Sequence, residues 1–318
     1  MADANKVPPP RWLLGGTAER RQAARRYWIR DPLMGALNVS IFYTLRRLPI
    51  DITSYLGSLM GALGQLRMPE KNELARKSWI TLRPQESDPA SVKEAQRRLW
   101  RWIGRSLAEC SVLDKMWEQG RIKVEGAEHP QAVRAAGRRL IFVSIHLGTW
   151  ECIGRALLGM GIRGAAIYEV PENRFEHRVV LEFRRRYGGK LVPQGSAGAR
   201  AAYRTLLDGE GLMLSIDEVV DGFVTWPAFG RKLPLRGNIA FAARLAILAE
   251  AELVPVYSLR QHGRADLVVR FLQPIDLARG GDRDADLIAN IAKINAVFEP
   301  LVRDNLDQWY YANAIRFD

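Results

Sequence analysis

One histidine in this 318-residue chain has a neighbourhood that could support proton transfer. His146 follows the apolar run 141–145 directly, and Glu151 lies five positions further on, beyond Gly148. In open α/β sheets, ligands bind at the carboxyl ends of strands, so His146 would lie in such a crevice. A histidine held by a carboxylate is an effective general base. The spacing predicts His146 and Glu151 as catalytic residues, provided that a turn at Gly148 brings them together.

The sequence argues against several other chemistries. It contains no GxSxG nucleophile elbow, and neither Ser144 nor Cys152 occupies such a turn, so we expect direct attack by an activated hydroxyl or water. The HxxxxE spacing differs from the HExxH spacing of zinc enzymes. The two cysteines, Cys110 and Cys152, provide neither a disulfide framework nor a Cys-based zinc site. We therefore expect no metal and no cofactor.

The second part of the chain has the pattern of an α/β fold. The strand-like runs after Gly126 are Leu140–Ile145, Ala165–Tyr168, Lys190–Pro193, Leu212–Ile216, Leu253–Leu259 and Leu267–Leu272. Helical patterns alternate with them, at Glu151–Met160, Asn173–Tyr187, Ala197–Leu207, Asn238–Ala251 and Asp284–Asn305. This alternation predicts a largely parallel central sheet flanked by helices.

The first part of the chain is basic and amphipathic. Residues 1–105 contain 19 basic and 9 acidic residues, so they carry +10 of the total charge of +12. Apolar residues recur at helical spacing through 32–66, in two stretches that are each shorter than the ~18 residues of a confident membrane span. We expect an N-terminal helical membrane-interface segment, and whether it lies on the bilayer or spans it stays open. The predicted divisions are a basic arm at 1–30, a membrane-docking and capping segment at 31–120, and an α/β domain at 121–318.

A basic stretch interleaved with tryptophan is also typical of a nucleic-acid surface. The chain has no recognised nucleic-acid-binding module, however, and leucine and isoleucine stripes suit lipid better. We therefore expect an anionic membrane surface as a partner and no nucleic acid.

The motif at His146–Glu151 resembles the HX4(D/E) motif of the glycerolipid and lipid A acyltransferase superfamily. From about Leu33 to Phe317, the chain resembles the bacterial lipid A biosynthesis acyltransferases of the lauroyl/myristoyl type. Further matches follow in family order: Arg76–Leu82, Gly104 with Glu109, Val124–Gly126, Glu169 with Pro171, Phe183–Arg184, Ser215–Asp217, Pro227–Gly230, Gly237 with Ala243–Arg244, Val254–Val256 and Gln308–Trp309. Two positions depart from the common pattern, Glu218 after Asp217 and Asn313 near the C-terminus, and they leave the acceptor open.

The resemblance implies an acyltransferase that moves a fatty acyl chain from an acyl carrier protein to a hydroxyl of a lipid A precursor, a glycolipid. His146 would be the general base and Glu151 would orient it, with no covalent acyl-enzyme. An acyl-CoA-dependent enzyme acting on another glycolipid or a lysophospholipid is the alternative. The resemblance also implies the cytoplasmic face of the cell inner membrane, reached peripherally or through a single N-terminal anchor. Acyl chain length and oligomeric state stay open.

Further substrate-binding residues are predicted around this site. Arg184 is a candidate for stabilising the oxyanion, against a solvated charge, and Glu169 could instead form a rim salt bridge. Asp217 ends a strand and would position either the acceptor or a basic partner. Arg244 lies in an apolar helix, where it could meet an acceptor phosphate or form an internal ion pair.

Overall fold

The computed structural model describes residues 7–168, 170–171, 173–186, 189–261 and 263–317, without the side chains of residues 183, 185 and 186. Before residue 120 the chain is helical. The helices there are α1 (Ala18–Arg25), α2 (Asp31–Arg47), α3 (Ile50–Arg67), α4 (Pro69–Leu82), α5 (Pro89–Glu109) and α6 (Leu113–Glu118). Short 3-10 turns lie at Pro10–Leu13 and Pro84–Glu86, and a π-helical turn at Arg26–Arg30 joins α1 to α2.

From residue 122 onwards, strands and helices alternate. The strands are β1 (Ile122–Glu125), β2 (Arg139–Ser144), β3 (Gly164–Tyr168), β4 (Lys190–Pro193), β5 (Gly211–Ser215), β6 (Val219–Val220), β7 (Phe223–Val224), β8 (Ala251–Gln261) and β9 (Asp266–Phe271). The helices are α7 (Glu128–Ala135), α8 (Cys152–Gly159), α9 (Arg174–Arg186), α10 (Ser196–Leu207), α11 (Gly237–Leu248) and α12 (Arg283–Asp304). Turns at Leu306–Gln308 and Tyr310–Asn313 follow α12.

The central sheet has the strand order β1-β9-β8-β2-β5-β3-β4. The pairs from β8 to β4 are parallel, whereas β9 runs antiparallel to β8 and parallel to β1. The predicted α/β class with a largely parallel sheet is therefore confirmed. The sequence reading missed β1 and the β6–β7 hairpin, because runs of four and two residues carry little periodicity. The parallel arrangement brings the carboxyl ends of β2, β3, β4, β5 and β8 to one edge.

Each face of the sheet has its own core. Ile141 and Val143 of β2 pack with α10, α11 and α12, together with Trp79 of α4 and Leu99 of α5. Phe142 faces the other way, into a cluster formed with α6, α7 and α8. This division follows from the alternation of side chains along a strand.

Helix α3 has an inverted polarity. Its buried face is made largely of small and polar residues: Thr53, Ser54, Gly57, Ser58 and Gly61. Its exposed face is apolar, with Ile52, Tyr55, Leu59, Met60, Leu63 and Leu66 each at least 45 % exposed. Among the described residues, no helix combines the length and the apolar character needed to cross a membrane.

Small residues let α3 and α5 approach closely. A Cβ placed on Gly61 would lie 2.0 Å from the carbonyl oxygen of Trp100, and one on Gly104 would lie 2.1 Å from that of Gly57. A Cβ on Gly64, one turn further along α3, would lie 3.4 Å from the nearest atom, on the ring of Trp100. The contact between the two helices therefore tolerates no side chain at Gly61, although it leaves room at Gly64.

We expect Gly61→Ala to lower the free energy of unfolding by about 1–3 kcal/mol, because the two backbones must separate to admit a methyl group. The matched control is Gly64→Ala, which should be neutral or slightly stabilising, because alanine favours a helix by up to about 1 kcal/mol over glycine. Urea denaturation measures both. Equal effects of the two substitutions would contradict the close-packing argument.

Candidate active site

His146 is held by a buried carboxylate. Its ring Nδ1 lies 2.8 Å from Oδ1 of Asp217, and its backbone N–H donates to Oδ2 of the same residue at 2.8 Å. The indole N–H of Trp309 donates to Oδ2 at 2.9 Å. The Asp217 side chain is 0 % exposed, whereas that of His146 is 21 % exposed. A neutral imidazole that donates from Nδ1 keeps Nε2 unprotonated and able to accept a proton.

The sheet register explains this pairing. Strands β2 and β5 are parallel neighbours, and Ser144 is aligned with Ser215. His146 and Asp217 each lie two residues beyond these strand ends, and therefore meet at the same edge. Of the two partners predicted for Asp217, an acceptor or a basic residue, the basic residue is the one it contacts.

Glu151 has a different partner from the one expected. Its Oε1 accepts a hydrogen bond from Arg184 of α9 at 2.5 Å, and no hydrogen bond joins it to His146. The ring contact that we assigned to Glu151 is made by Asp217, because the turn at Gly148 brings both motif residues to one pocket without bringing their polar atoms together. The Glu151 charge raises the pKa of Arg184.

The loop between β2 and α8, residues 145–151, is fixed by bonds to distant segments. Gly148, in the left-handed region at φ +58°, donates to the carbonyl of Gln308 at 3.0 Å and accepts from the Ser106 hydroxyl at 2.8 Å. The carbonyl of Leu147 accepts from Ser258 at 2.8 Å. The main chain that carries His146 is therefore held on several sides.

A buried ion pair lies directly behind this loop. The side chains of Glu109, at the end of α5, and Arg260, in β8, are 0 % and 1 % exposed and bond to each other. Thr149 of the loop donates to Glu109 at 2.9 Å and accepts from Arg260 at 2.9 Å. Ser54 of α3 donates to Glu109 at 2.6 Å. One carboxylate thus joins α3, α5, the loop and β8.

A pocket of about 300 Å³ opens beside His146. Its lining includes Glu151 and Arg184 at the polar end, and Phe142 and Leu157 deeper in the molecule. The lining residues extend along β5 from Ser215 back to Gly211, which is about 13 Å at roughly 3.3 Å per residue. The pocket is thus a cleft of mixed polar and apolar lining that follows the sheet away from the histidine.

Aromatic rings surround the imidazole. The ring centroids of Trp150 and Tyr311 lie 5.0 and 4.9 Å from that of His146, and that of Tyr310 lies 6.4 Å away. Burial raises the pKa of Tyr310, so this phenol stays neutral. The rings restrict the access of water to the imidazole and leave the pocket side as its approach.

Two of the candidate nucleophiles near the motif, Cys152 and Ser144, are inaccessible. Cys152 is 0 % exposed, and burial raises its thiol pKa to about 12. Burial likewise raises the pKa of Cys110. Ser144 is also 0 % exposed, and its hydroxyl donates to a backbone carbonyl. Within the described residues, no group of three His, Cys, Asp or Glu side chains is arranged to hold a metal ion.

Comparison with known proteins places the chain in a family. A family model described as bacterial lipid A biosynthesis acyltransferase matches residues 22–313. The chain belongs to this family. The lipid A biosynthesis palmitoleoyltransferase of Escherichia coli K12 and the lipid A biosynthesis acyltransferase of Shigella flexneri are each 24 % identical to it over 197 residues. The match covers 61 % of this chain and 61 % of each relative.

The two remaining predicted residues, Glu169 and Arg244, have different outcomes. Glu169 falls outside the described residues of this lipid A acyltransferase family member. Arg244 is exposed on α11 and lines a separate groove; within the part of the chain that the structure describes, the predicted internal ion pair is not formed. Binding of substrate by either residue stays a prediction.

Trp309, Glu109 and Arg260 were given no role in the sequence reading. Arg260 had a detectable signal, since it is a charge at the end of an apolar strand and must find a partner if buried. Glu109 and Trp309 match the family pattern, but the sequence does not indicate their partners, which lie 151 and 92 residues away. Only the folded chain identifies these contacts.

We expect Glu109→Gln to lower the free energy of unfolding by about 3–5 kcal/mol, because it leaves the Arg260 guanidinium buried without a countercharge. The matched control is Glu73→Gln, which removes an exposed i,i+3 ion pair with Arg76 and should have no measurable effect. Thermal or urea denaturation measures both. An equal, small effect of the two changes would show that the buried pair does not stabilise the fold.

Proposed function

We propose that this protein transfers a fatty acyl chain from the thioester of an acyl carrier protein to a hydroxyl group of a lipid A precursor. The observation that carries the proposal is the His146–Asp217 pair beside a cleft lined by polar and apolar residues, in a chain of the lipid A biosynthesis acyltransferase family. A general base beside a cleft that offers both polar and apolar lining suits a reaction between a polar acceptor and a fatty acyl donor.

His146 would act as the general base. Its Nε2 accepts the proton of the acceptor hydroxyl while that oxygen attacks the thioester carbonyl. The C–S bond then breaks, and the imidazolium returns the proton to the departing thiolate. Asp217 holds the Nδ1–H and stabilises the positive charge on the ring between these two steps.

Arg184 and Glu151 would act together on the developing oxyanion. Arg184 has five N–H donors, and its ion pair with Glu151 orients the guanidinium at the pocket wall. The remaining donors can approach the thioester oxygen, where the negative charge accumulates. In this proposal Glu151 is a positioning residue that acts through Arg184.

Direct transfer without an acyl-enzyme is supported by the buried state of Cys152 and Ser144, the two nucleophilic residues singled out from the sequence around the motif. Cys152 and Ser144 are both fully buried, and the Cys152 pKa of about 12 leaves a negligible thiolate population at neutral pH. The acceptor hydroxyl is then the nucleophile that His146 activates.

We expect His146→Ala to reduce acyl transfer at least about 10³-fold, and Asp217→Asn to reduce kcat by about 10²- to 10⁴-fold, because each removes part of the base. The assay follows release of free carrier thiol in the presence of a purified lipid A precursor. The matched control is His129→Ala, a substitution on α7 away from the pocket, which should retain full activity. Full activity of His146→Ala would contradict the mechanism.

Two further readouts separate this proposal from its alternative. Lipids of cells that lack the protein, analysed by mass spectrometry, should show an under-acylated lipid A; an unchanged lipid A with a changed phospholipid or other glycolipid would favour the alternative acceptor. Higher kcat/KM with acyl-CoA than with the carrier thioester would favour the alternative donor.

Intact mass after rapid quenching should show no acylated protein.

We further propose that α2 and α3 dock the protein on an anionic membrane surface, at the cytoplasmic face of the inner membrane. The inverted α3 and the exposed Leu33, Leu37 and Met34 of α2 form an apolar surface, next to an N-terminal segment rich in arginine. Helix α2 also packs on α9, where Gly35 meets Phe175 and Asn38 donates to Glu176 at 2.6 Å. Because α9 carries Arg184, the docking surface adjoins the wall of the pocket.

We expect the double substitution Leu37→Asp and Leu63→Asp to weaken binding to phosphatidylglycerol-containing vesicles by about 100-fold, since each leucine contributes about 1.5 kcal/mol when it leaves water. Vesicle flotation measures the binding. The matched control is Ile288→Asp on α12, where the replaced side chain is 49 % exposed, and it should float like the wild type. Equal flotation of all three proteins would exclude α2 and α3 as the docking surface.

A further inference from the structure

A second groove lies on the other side of the sheet from α8. It has a volume of about 450 Å³, is formed by α10 and α11, and shares no lining residue with the pocket of His146. Helices α10 and α11 pack into the core on one face of the sheet, whereas α8 packs into the core on the opposite face. The groove is therefore a separate feature of the molecule.

The groove is strongly basic. Arg200 and Arg204 of α10 and Arg244 of α11 line it, all three are exposed, and the described residues contain no ion-pair partner for them. Neither α10 nor α11 contains an aspartate or a glutamate. Some exposed arginines elsewhere do find partners, such as Glu73 for Arg76 at 2.6 Å. The positive charge of this groove therefore has no countercharge among the described residues, and a negatively charged ligand could supply one.

The floor between the arginines is apolar. Tyr203, Phe241 and Leu245 line it, and Leu248 at its end is 67 % exposed. A site for a single phosphate would surround the anion with polar donors. An apolar floor edged by arginines instead matches an amphipathic helix that carries carboxylates beside its apolar face.

The spacing of the arginines fits a helix as well. Arg200 and Arg204 are four residues apart on α10, which places them about 6 Å apart along the helix axis. Carboxylates at i and i+4 on a partner helix have the same separation, so two ion pairs can form side by side. The structure assigns the arginine groove of α10 and α11 as a docking site for an acidic amphipathic helix of a partner protein.

The location of the groove identifies which partner would use it, and this step rests on the proposed function. Gln194, two residues before α10, and Asn238, at the start of α11, both line the pocket of His146. Arg200 lies about 6 Å along α10 from Ser196, and Arg244 about 9 Å along α11 from Asn238. A protein docked here lies one to two helical turns from the pocket mouth. The partner is therefore the acidic protein that delivers the acyl thioester.

Kinetics with two donors of equal chain length test the proposal. Arg200→Glu combined with Arg204→Glu should raise KM for the carrier-protein thioester at least about tenfold, because reversed charges repel an acidic partner. Its kcat, and its KM for acyl-CoA, should stay at the wild-type values. The matched control is Lys123→Glu with Arg134→Glu, which reverses two exposed charges on β1 and α7 and should change neither KM.

An unchanged KM for the carrier thioester would overturn the docking site. An equal rise of KM for both donors would also overturn it, since the groove would then bind a small anionic donor. Fluorescence anisotropy with labelled carrier protein lacking an acyl chain measures docking without catalysis. Binding to the wild type that is lost in the double variant supports the groove even if acyl transfer itself fails, and no binding to the wild type contradicts it. Loss of vesicle flotation in the variant, with carrier binding intact, would reassign the groove to lipid.

Discussion

The fold around the candidate active site depends on a fully buried ion pair, Glu109–Arg260. Among the described residues no other carboxylate pairs with Arg260, and the desolvation of Glu109 and Arg260 is compensated by their bonds to each other and to Thr149 and Ser54. These contacts fix α3, α5 and β8 relative to the loop after β2. The inverted α3 can therefore present its apolar side outwards, because its inner side is held by hydrogen bonds and close glycine contacts rather than by hydrophobic packing.

The loop after β2 contacts the Glu109–Arg260 pair through Thr149 and also carries His146. Asp217 accepts hydrogen bonds from the backbone and ring of His146 and from Trp309, so a single carboxylate joins β2, β5 and the C-terminal segment. In the proposed mechanism His146 is a general base that needs a fixed tautomer and a fixed direction, and these three bonds supply both. Glu151 does not hold the histidine; it accepts a hydrogen bond from Arg184, and this cation also lines the pocket.

The uneven charge of the chain corresponds to two different surfaces. The basic N-terminal third includes α2 and α3, whose exposed faces are apolar. The arginines of α10 and α11 instead edge a groove on a separate part of the α/β unit. The first combination favours a lipid surface, because large apolar side chains are exposed there beside basic residues. The second favours a protein helix, because its apolar floor is narrow and its charges are regularly spaced. The pocket of His146 has a wall on α9, against which α2 packs, and its mouth adjoins the first turns of α10 and α11.

The sequence by itself determined the features that depend on local pattern. Alternating apolar runs predicted the parallel α/β sheet, and the strand–turn–helix around His146 predicted a histidine and a glutamate in one crevice. Only the tertiary structure decided which carboxylate holds the histidine, since His146 and Asp217 are 71 residues apart and meet because β2 and β5 are neighbours in register. The pairs Glu151–Arg184 and Glu109–Arg260 likewise span 33 and 151 residues. Periodicity determines which face of its own strand or helix a side chain lies on. Its partner is determined by strand order and helix packing, and both of these depend on how the whole chain buries its apolar residues.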